Sequence, residues 1–228
     1  MSRRGWFLFI LVGFLWGIPY LFIKVAVNPE NGFTPAIVVC LRTAIGAAIL
    51  IPLAIRQRQF GAAMRGARYV FLYALLEMIG PWILIGTAEQ KIPSGLAGLL
   101  IATVPFWSTL IASFLGDKSV WQSHRIVGMV IGFIGVVLVV GLESLRGDNS
   151  GTAIIMILLA AIGYAIAPIM IRRKAPTLNG LAINSVAMLV TAIIYIPVGI
   201  IQFPSTTPSA KAIWSLIILG IFPTAIAF

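Results

Sequence analysis

The side chains able to do chemistry are few, and the most telling stand inside apolar runs: Lys24, Arg42 and Glu77. If those runs cross a bilayer, each such group costs roughly 2.5–3.5 kcal/mol on insertion scales and needs a partner or a water-filled cavity. Lys24 lies near the end of its run, where its stem can snorkel to the headgroups. Arg42 falls a few residues into the second run and Glu77 near the middle of the third. On antiparallel helices rising about 1.5 Å per residue, a guanidinium spans that difference in depth. Arg42 and Glu77 are therefore expected to be linked, directly or through water. Two readings stay open: a structural pair that lets two helices insert, or a group for substrate or proton coupling. In the second, the Glu77 carboxylate binds a proton or a substrate amine during a cycle.

Aromatic and amide side chains give a second pointer. Trp6, Trp121 and Trp214 sit at or beyond run ends, the headgroup level that tryptophan favours. Trp16, Trp107 and Tyr164 lie near run centres, with Tyr20 and Trp82 about a turn further out. An indole N–H or phenol O–H there wants a partner that lipid cannot give. Taken singly, each is accounted for by interhelical packing. As a set they are expected to wall a pocket for amphipathic or cationic solutes, helped by cation–π attraction. The expected substrate-binding set is Trp16, Tyr20, Arg42, Glu77, Trp82, Trp107, Tyr164 and Asn184. Pro19, Pro81, Pro105, Pro168 and Pro223 are expected to interrupt runs, each freeing a carbonyl for a cavity or a neighbour. Gly13-xxx-Gly17 and Gly128-xxx-Gly132 permit close helix contact, either within the chain or between the copies of a homodimer.

Catalytic constellations are not in evidence. Intramembrane proteolysis needs a Ser–His pair or paired aspartates, and phosphotransfer needs clustered carboxylates around metal; neither pattern is present. His124, the one histidine, reads as a solvated loop residue, and Cys40, the one cysteine, as a small apolar filler. The expectation is no enzyme, no metal site and no cofactor. With no nucleotide-binding loop, ATP is not expected to drive the process.

The elements that must position these residues follow from composition. The chain has 228 residues, 60% apolar and 10% charged, with a mean hydropathy of +1.06. A soluble domain is about 25% charged. Too few polar residues exist to cover a soluble surface, so the fold class is an all-α integral membrane protein. Barrel strands would alternate apolar and polar over about ten residues, and these runs do not. Runs near the roughly 20 residues that a spanning helix needs occur at 6–27, 35–55, 69–88, 94–115, 126–142, 151–171 and 180–203. An eighth begins near Ile213. It is sixteen residues long to Phe228, which leads us to expect a fragment of a longer protein.

The net charge of +10 does not point to nucleic acid, because the basic residues cluster in the short loops between runs. With the amino terminus inside, the inner side collects Arg3, Arg4, Arg56, Arg58, Arg65, Arg68, Lys118, Arg125, Arg172, Arg173 and Lys174. The outer side collects Lys91, Arg146 and Lys211. Eleven against three puts the amino terminus in the cytoplasm, in a multi-pass cell (inner or plasma) membrane protein.

The chain also resembles itself. Leu11 to Gly17 followed by Lys24 resembles Leu159 to Ala165 followed by Arg172; Leu50-Ile51-Pro52 resembles Tyr195-Ile196-Pro197; Ile79-Gly80-Pro81 resembles Ile221-Phe222-Pro223. Five runs precede the second copy, so that copy starts from the opposite side. An inverted repeat is expected: five helices over 6–142, and an incomplete second set over 151–228, about eight of a 5+5 bundle.

Trp16-Gly17, Arg42, Ser94-Gly95-Leu96-Ala97, Pro105 to Leu110, Gly116-Asp117-Lys118 and the stretch Gly128 to Gly141 together resemble the EamA family of the drug/metabolite transporter superfamily. Asp117 departs from the glutamate usual there. The resemblance implies ten helices in two inverted halves and export of metabolites or amino acids. The function expected is secondary active transport of a small metabolite, amino acid or drug-like solute by alternating access, with a proton or ion as the coupling species. A channel or a lipid-handling scaffold is the alternative reading.

Overall fold

The computed structural model describes residues 5–7, 13, 16–30, 32–144 and 150–226. Arg3, Arg4, most of the 11–15 stretch and the 147–149 turn lie outside them, as do the side chains of Lys118, His124 and Arg125. The helices are α1 (Pro19–Ala26), α2 (Pro35–Arg56), α3 (Ala67–Glu89), α4 (Ser94–Phe114), α5 (Ser123–Ser144), α6 (Ser150–Lys174), α7 (Gly180–Ile201) and α8 (Ala210–Ile221). No strand occurs among the described residues. Of these, α2, α3, α4, α6 and α7 are long and apolar enough to cross a membrane, with shorter apolar helices at Ile126–Gly135 and Ala210–Ala225. The chain is an all-α membrane bundle.

Local sequence sets the helix starts. Thr34 caps α2 by accepting from the Ile37 N–H, and Pro35 follows with its backbone angle already helical. Asn179 caps α7 and Ser209 caps α8 in the same way. Helix α4 ends at Phe114, and Gly116 just beyond it has a φ of +89°, which suits a residue without Cβ. Helix α5 begins at Ser123, which brings His124 into a helical first turn instead of the expected loop.

Prolines act unequally. Pro81 follows a π-turn at Leu75–Ile79 that divides α3 into Ala67–Ala74 and Gly80–Glu89. Pro105 follows a break at Ala102–Thr103 that divides α4, and Pro223 lies in a second π-turn, Phe222–Ile226, that continues α8. Pro19 opens α1. Pro168, by contrast, does not interrupt α6, which runs unbroken from Ser150 to Lys174. Proline removes one hydrogen bond, and packing on both sides is enough to carry the helix through that loss.

Lipid gives helices no hydrophobic reason to associate, so close packing of small residues decides the contacts. The principal contacts are α2 on α7, α3 on α6, α4 on α6, α1 on α8, α2 on α8 and α3 on α7. Helices α2 and α7 run antiparallel, with Gly46 against Met188 and Cys40 against Gly199. Gly163 of α6 presses on the Leu76 carbonyl: a Cβ there would stand 2.5 Å from that oxygen. The glycines expected to mediate close contact do not do so among the described residues. Gly13, Gly17, Gly128 and Gly132 face open space, and α5 packs only lightly, leaving Val127, Ile131 and Leu138 exposed.

Candidate functional site

Polar side chains converge inside this bundle around Arg42. Arg42 stands two turns into α2 and is only 5% exposed. Its guanidinium carbon lies 3.5 Å from the centroid of the Trp82 ring. Its Nε and Nη2 both donate to Thr224 Oγ1, at 3.2 and 2.9 Å. Trp82 follows the π-turn of α3, and Thr224, fully buried, lies in the π-turn after α8. Tyr20 of α1, Tyr164 of α6 and Glu89 at the end of α3 are within electrostatic reach of the guanidinium. Tyr164 is also within hydrogen-bonding reach of Trp82. Gly98 makes room for Tyr20: a Cβ there would sit 3.3 Å from the ring.

Glu77 lies in the α3 π-turn, near Tyr20, Tyr73 and Tyr164, and its Oε2 is buried without a hydrogen-bond partner among the described residues. The direct Arg42–Glu77 link expected from depth is not made; Thr224 and Trp82 hold Arg42 instead. Depth was counted along a regular helix. A π-turn takes an extra residue per turn, so the face that meets α2 is shifted and Trp82 occupies it.

Asn184 extends the cluster inward, accepting from the Tyr73 hydroxyl at 3.3 Å and donating to Gly180 O. Two residues of the expected set stand apart. Trp16 is 58% exposed. Trp107 packs edge-on against Phe106, and its buried indole N–H has no partner among the described residues. The structure thus brings together Tyr20, Arg42, Glu77, Trp82, Tyr164 and Asn184. The Trp82 face expected to receive a cationic solute carries the protein's own Arg42. Two apolar cavities lie elsewhere: about 190 Å³ between α4 and α5 around Phe106 and Phe133, and about 410 Å³ between α2 and α7 around Cys40 and Gly199.

Lys24 points to the end of α3. Its ammonium donates to the backbone carbonyls of Glu89 and Ile92, closing the end of α3. Cations are favoured at that end of a helix, where four carbonyls lack intrahelical partners. This capping carries α3 one residue beyond the apolar run and takes Glu89, fully buried, into the bundle. Sequence reasoning missed Glu89 by ending the run at residue 88. Pro93 held the signal: proline disfavours helix only at the residue before it, so nothing forced the helix to stop short of Glu89.

Helices long enough to cross a membrane, gathered around a buried arginine, a carboxyl without a partner among the described residues and converging phenols, define a polytopic membrane protein with a polar interior. The description EamA-like transporter family matches residues 3–141 and again residues 151–228. The chain belongs to that family. It is 24% identical over 224 residues to the uncharacterized transporter YoaV of Bacillus subtilis, covering 96% of this chain and 75% of YoaV. It is 27% identical over 186 residues to a probable terminal-alkyne amino-acid exporter of Streptantibioticus cattleyicolor, covering 78% and 60%. A protein of known crystal structure shares the fold, with a TM-score of 0.71 at 21% identity over 95% of this chain and 75% of that one.

Proposed function

We propose that this protein is a secondary active transporter that exports a small metabolite, amino acid or drug-like solute by alternating access. In this reading it lies in the cell (inner or plasma) membrane with its amino terminus in the cytoplasm. The observation that carries the reading is the buried Arg42, held between α3 and the π-turn after α8. A guanidinium inside a bilayer is costly unless it has work there. The kinship with an amino-acid exporter supports the substrate class.

The second part of the proposal is an inverted pair of repeats, 6–142 and 151–228. Exchanging α1, α2 and α3 for α6, α7 and α8 turns the contact of α1 with α8 into that of α6 with α3. It likewise turns α2 on α8 into α7 on α3, and leaves α2 on α7 in place. The offset of 142 residues that relates Pro81 to Pro223 also relates Trp82 to Thr224, so Arg42 sits between equivalent positions of the two halves. Rocking one half against the other must then remake its contacts, which is the motion alternating access needs.

The set that meets the solute is Tyr20, Arg42, Glu77, Trp82, Tyr164 and Asn184, with Trp16 and Trp107 reaching it in another state. The test is reconstitution in proteoliposomes with a panel of amino acids and metabolites chosen by a resistance screen. Saturable, gradient-dependent flux is expected. Flux that rises linearly with concentration identifies a channel, and none with any solute identifies a scaffold. A Glu77→Gln protein with unchanged rate and pH dependence removes Glu77 from the mechanism.

A further inference from the structure

Glu89 is fully buried, and neither carboxyl oxygen has a hydrogen-bond partner among the described residues. Lys24, the nearest candidate, spends its ammonium on the backbone carbonyls of Glu89 and Ile92. Arg42 is within electrostatic reach but bound to Thr224. An ionised carboxylate left this way costs several kcal/mol, and a neutral acid far less. Yet two cations stand close by, ready to receive the ion if either turns to it.

We propose that Glu89 is a proton-binding site of the transport cycle, with Arg42 as the switch that reads it. This rests on the transporter reading above. In the arrangement seen, Glu89 carries its proton and Arg42 is free to hold Thr224. When the carboxyl O–H breaks and the proton leaves to water, the carboxylate draws the Arg42 guanidinium. The donors on Thr224 are then released, and with them the contact between α2 and the π-turn after α8. Arg42 keeps its own proton throughout, as guanidinium does in proteins. One proton is thereby exchanged for one remaking of the contact between the halves.

The other groups that face Glu89 are compatible with this exchange. Helix α1 presents Tyr20 and Lys24, α2 presents Arg42, and α3 itself carries Glu77 twelve residues earlier in the chain. Helix α6 has Tyr164 as its one titratable residue between Ser150 and Ile171, and α4 has none between Ser94 and Phe114. Among the described residues Glu89 therefore has cations on two neighbours and no second acid beside it on another helix.

The test reads the carboxyl directly and needs no substrate. The full chain in liposomes is treated with dicyclohexylcarbodiimide, an apolar reagent that attacks protonated carboxyls inside bilayers, over a range of pH. The modified residue is located by mass spectrometry. Glu89 is expected to be modified, less so as pH rises, and several-fold less in Thr224→Val, where Arg42 is free to pair with it. No modification of Glu89 at any pH overturns the proposal, as does modification indifferent to pH and to Thr224→Val. Flux measured alongside separates the two readings. Gradient-driven flux with no modification of Glu89 leaves the transporter and removes this site. The expected modification without flux of any solute keeps the proton site and removes the transporter.

Discussion

Arg42 and Thr224 are 182 residues apart in sequence, yet two guanidinium nitrogens of the one donate to the single hydroxyl of the other. The bond ties the second helix to the π-turn that follows the last. Thr224 is fully buried, so no water takes its place when the hydroxyl is removed.

Replacing Thr224 by valine keeps the shape and deletes the acceptor. Losing a hydrogen bond to a charged group costs about 1.5–3 kcal/mol, offset in part where the released Arg42 turns to Glu89. The thermal midpoint of purified Thr224→Val in detergent is expected to fall, and Thr224→Ser to restore it. Equal midpoints for the valine and serine proteins would show that the hydroxyl does not hold Arg42.

Gly163 tests the packing of α6 on the π-turn of α3. A Cβ at this position meets the Leu76 carbonyl at 2.5 Å, a backbone atom that cannot swing aside. Gly163→Ala is expected to destabilise by about 1–3 kcal/mol, as overpacking does. Gly128→Ala, with nothing within 4 Å, is the matched control and should not lower the midpoint, since alanine suits a helix interior better than glycine.

The Tyr195 hydroxyl donates to Ile79 O at 2.7 Å, taking up a carbonyl at the end of the π-turn. Tyr195→Phe is expected to lose about 1 kcal/mol. Amide hydrogen exchange across 75–82 should quicken with little change in α6. Uniform quickening over the whole bundle would mean that the bond supports the fold generally and not this turn.

Lys24 can be tested at the same resolution. Lys24→Met removes two donations to the end of α3 and is expected to cost about 1.5–3 kcal/mol, the range for bonds to charged groups. Lys24→Arg should recover part of it. A snorkelling lysine would show neither effect.

The orientation is tested with single cysteines at Arg58 and Lys91 on a Cys40→Ala background. An impermeant maleimide should label position 91 from outside intact cells and position 58 only after permeabilisation. The reverse pattern places the amino terminus outside.

Much of this was legible in the residues. Continuous apolar runs had one stable form in lipid, so the helices and their approximate bounds followed from length and composition. Arg42, Trp82, Tyr20 and Tyr164 stood out because polar atoms in such runs demand partners, and they do converge. The partners themselves were not legible. Thr224 is an ordinary threonine in sequence, and the Lys24 cap that holds Glu89 within its helix is formed only by the fold.

Sequence alone therefore determined that this chain is a bundle of membrane helices and which side chains its interior would have to satisfy, since those demands arise from each residue's own solvation. Only the tertiary structure decided that Arg42 meets Thr224 and Trp82 instead of Glu77. Two π-turns, each beside a proline, shift the helix faces by a residue, and which partners the shifted faces then meet depends on how the neighbouring helices pack.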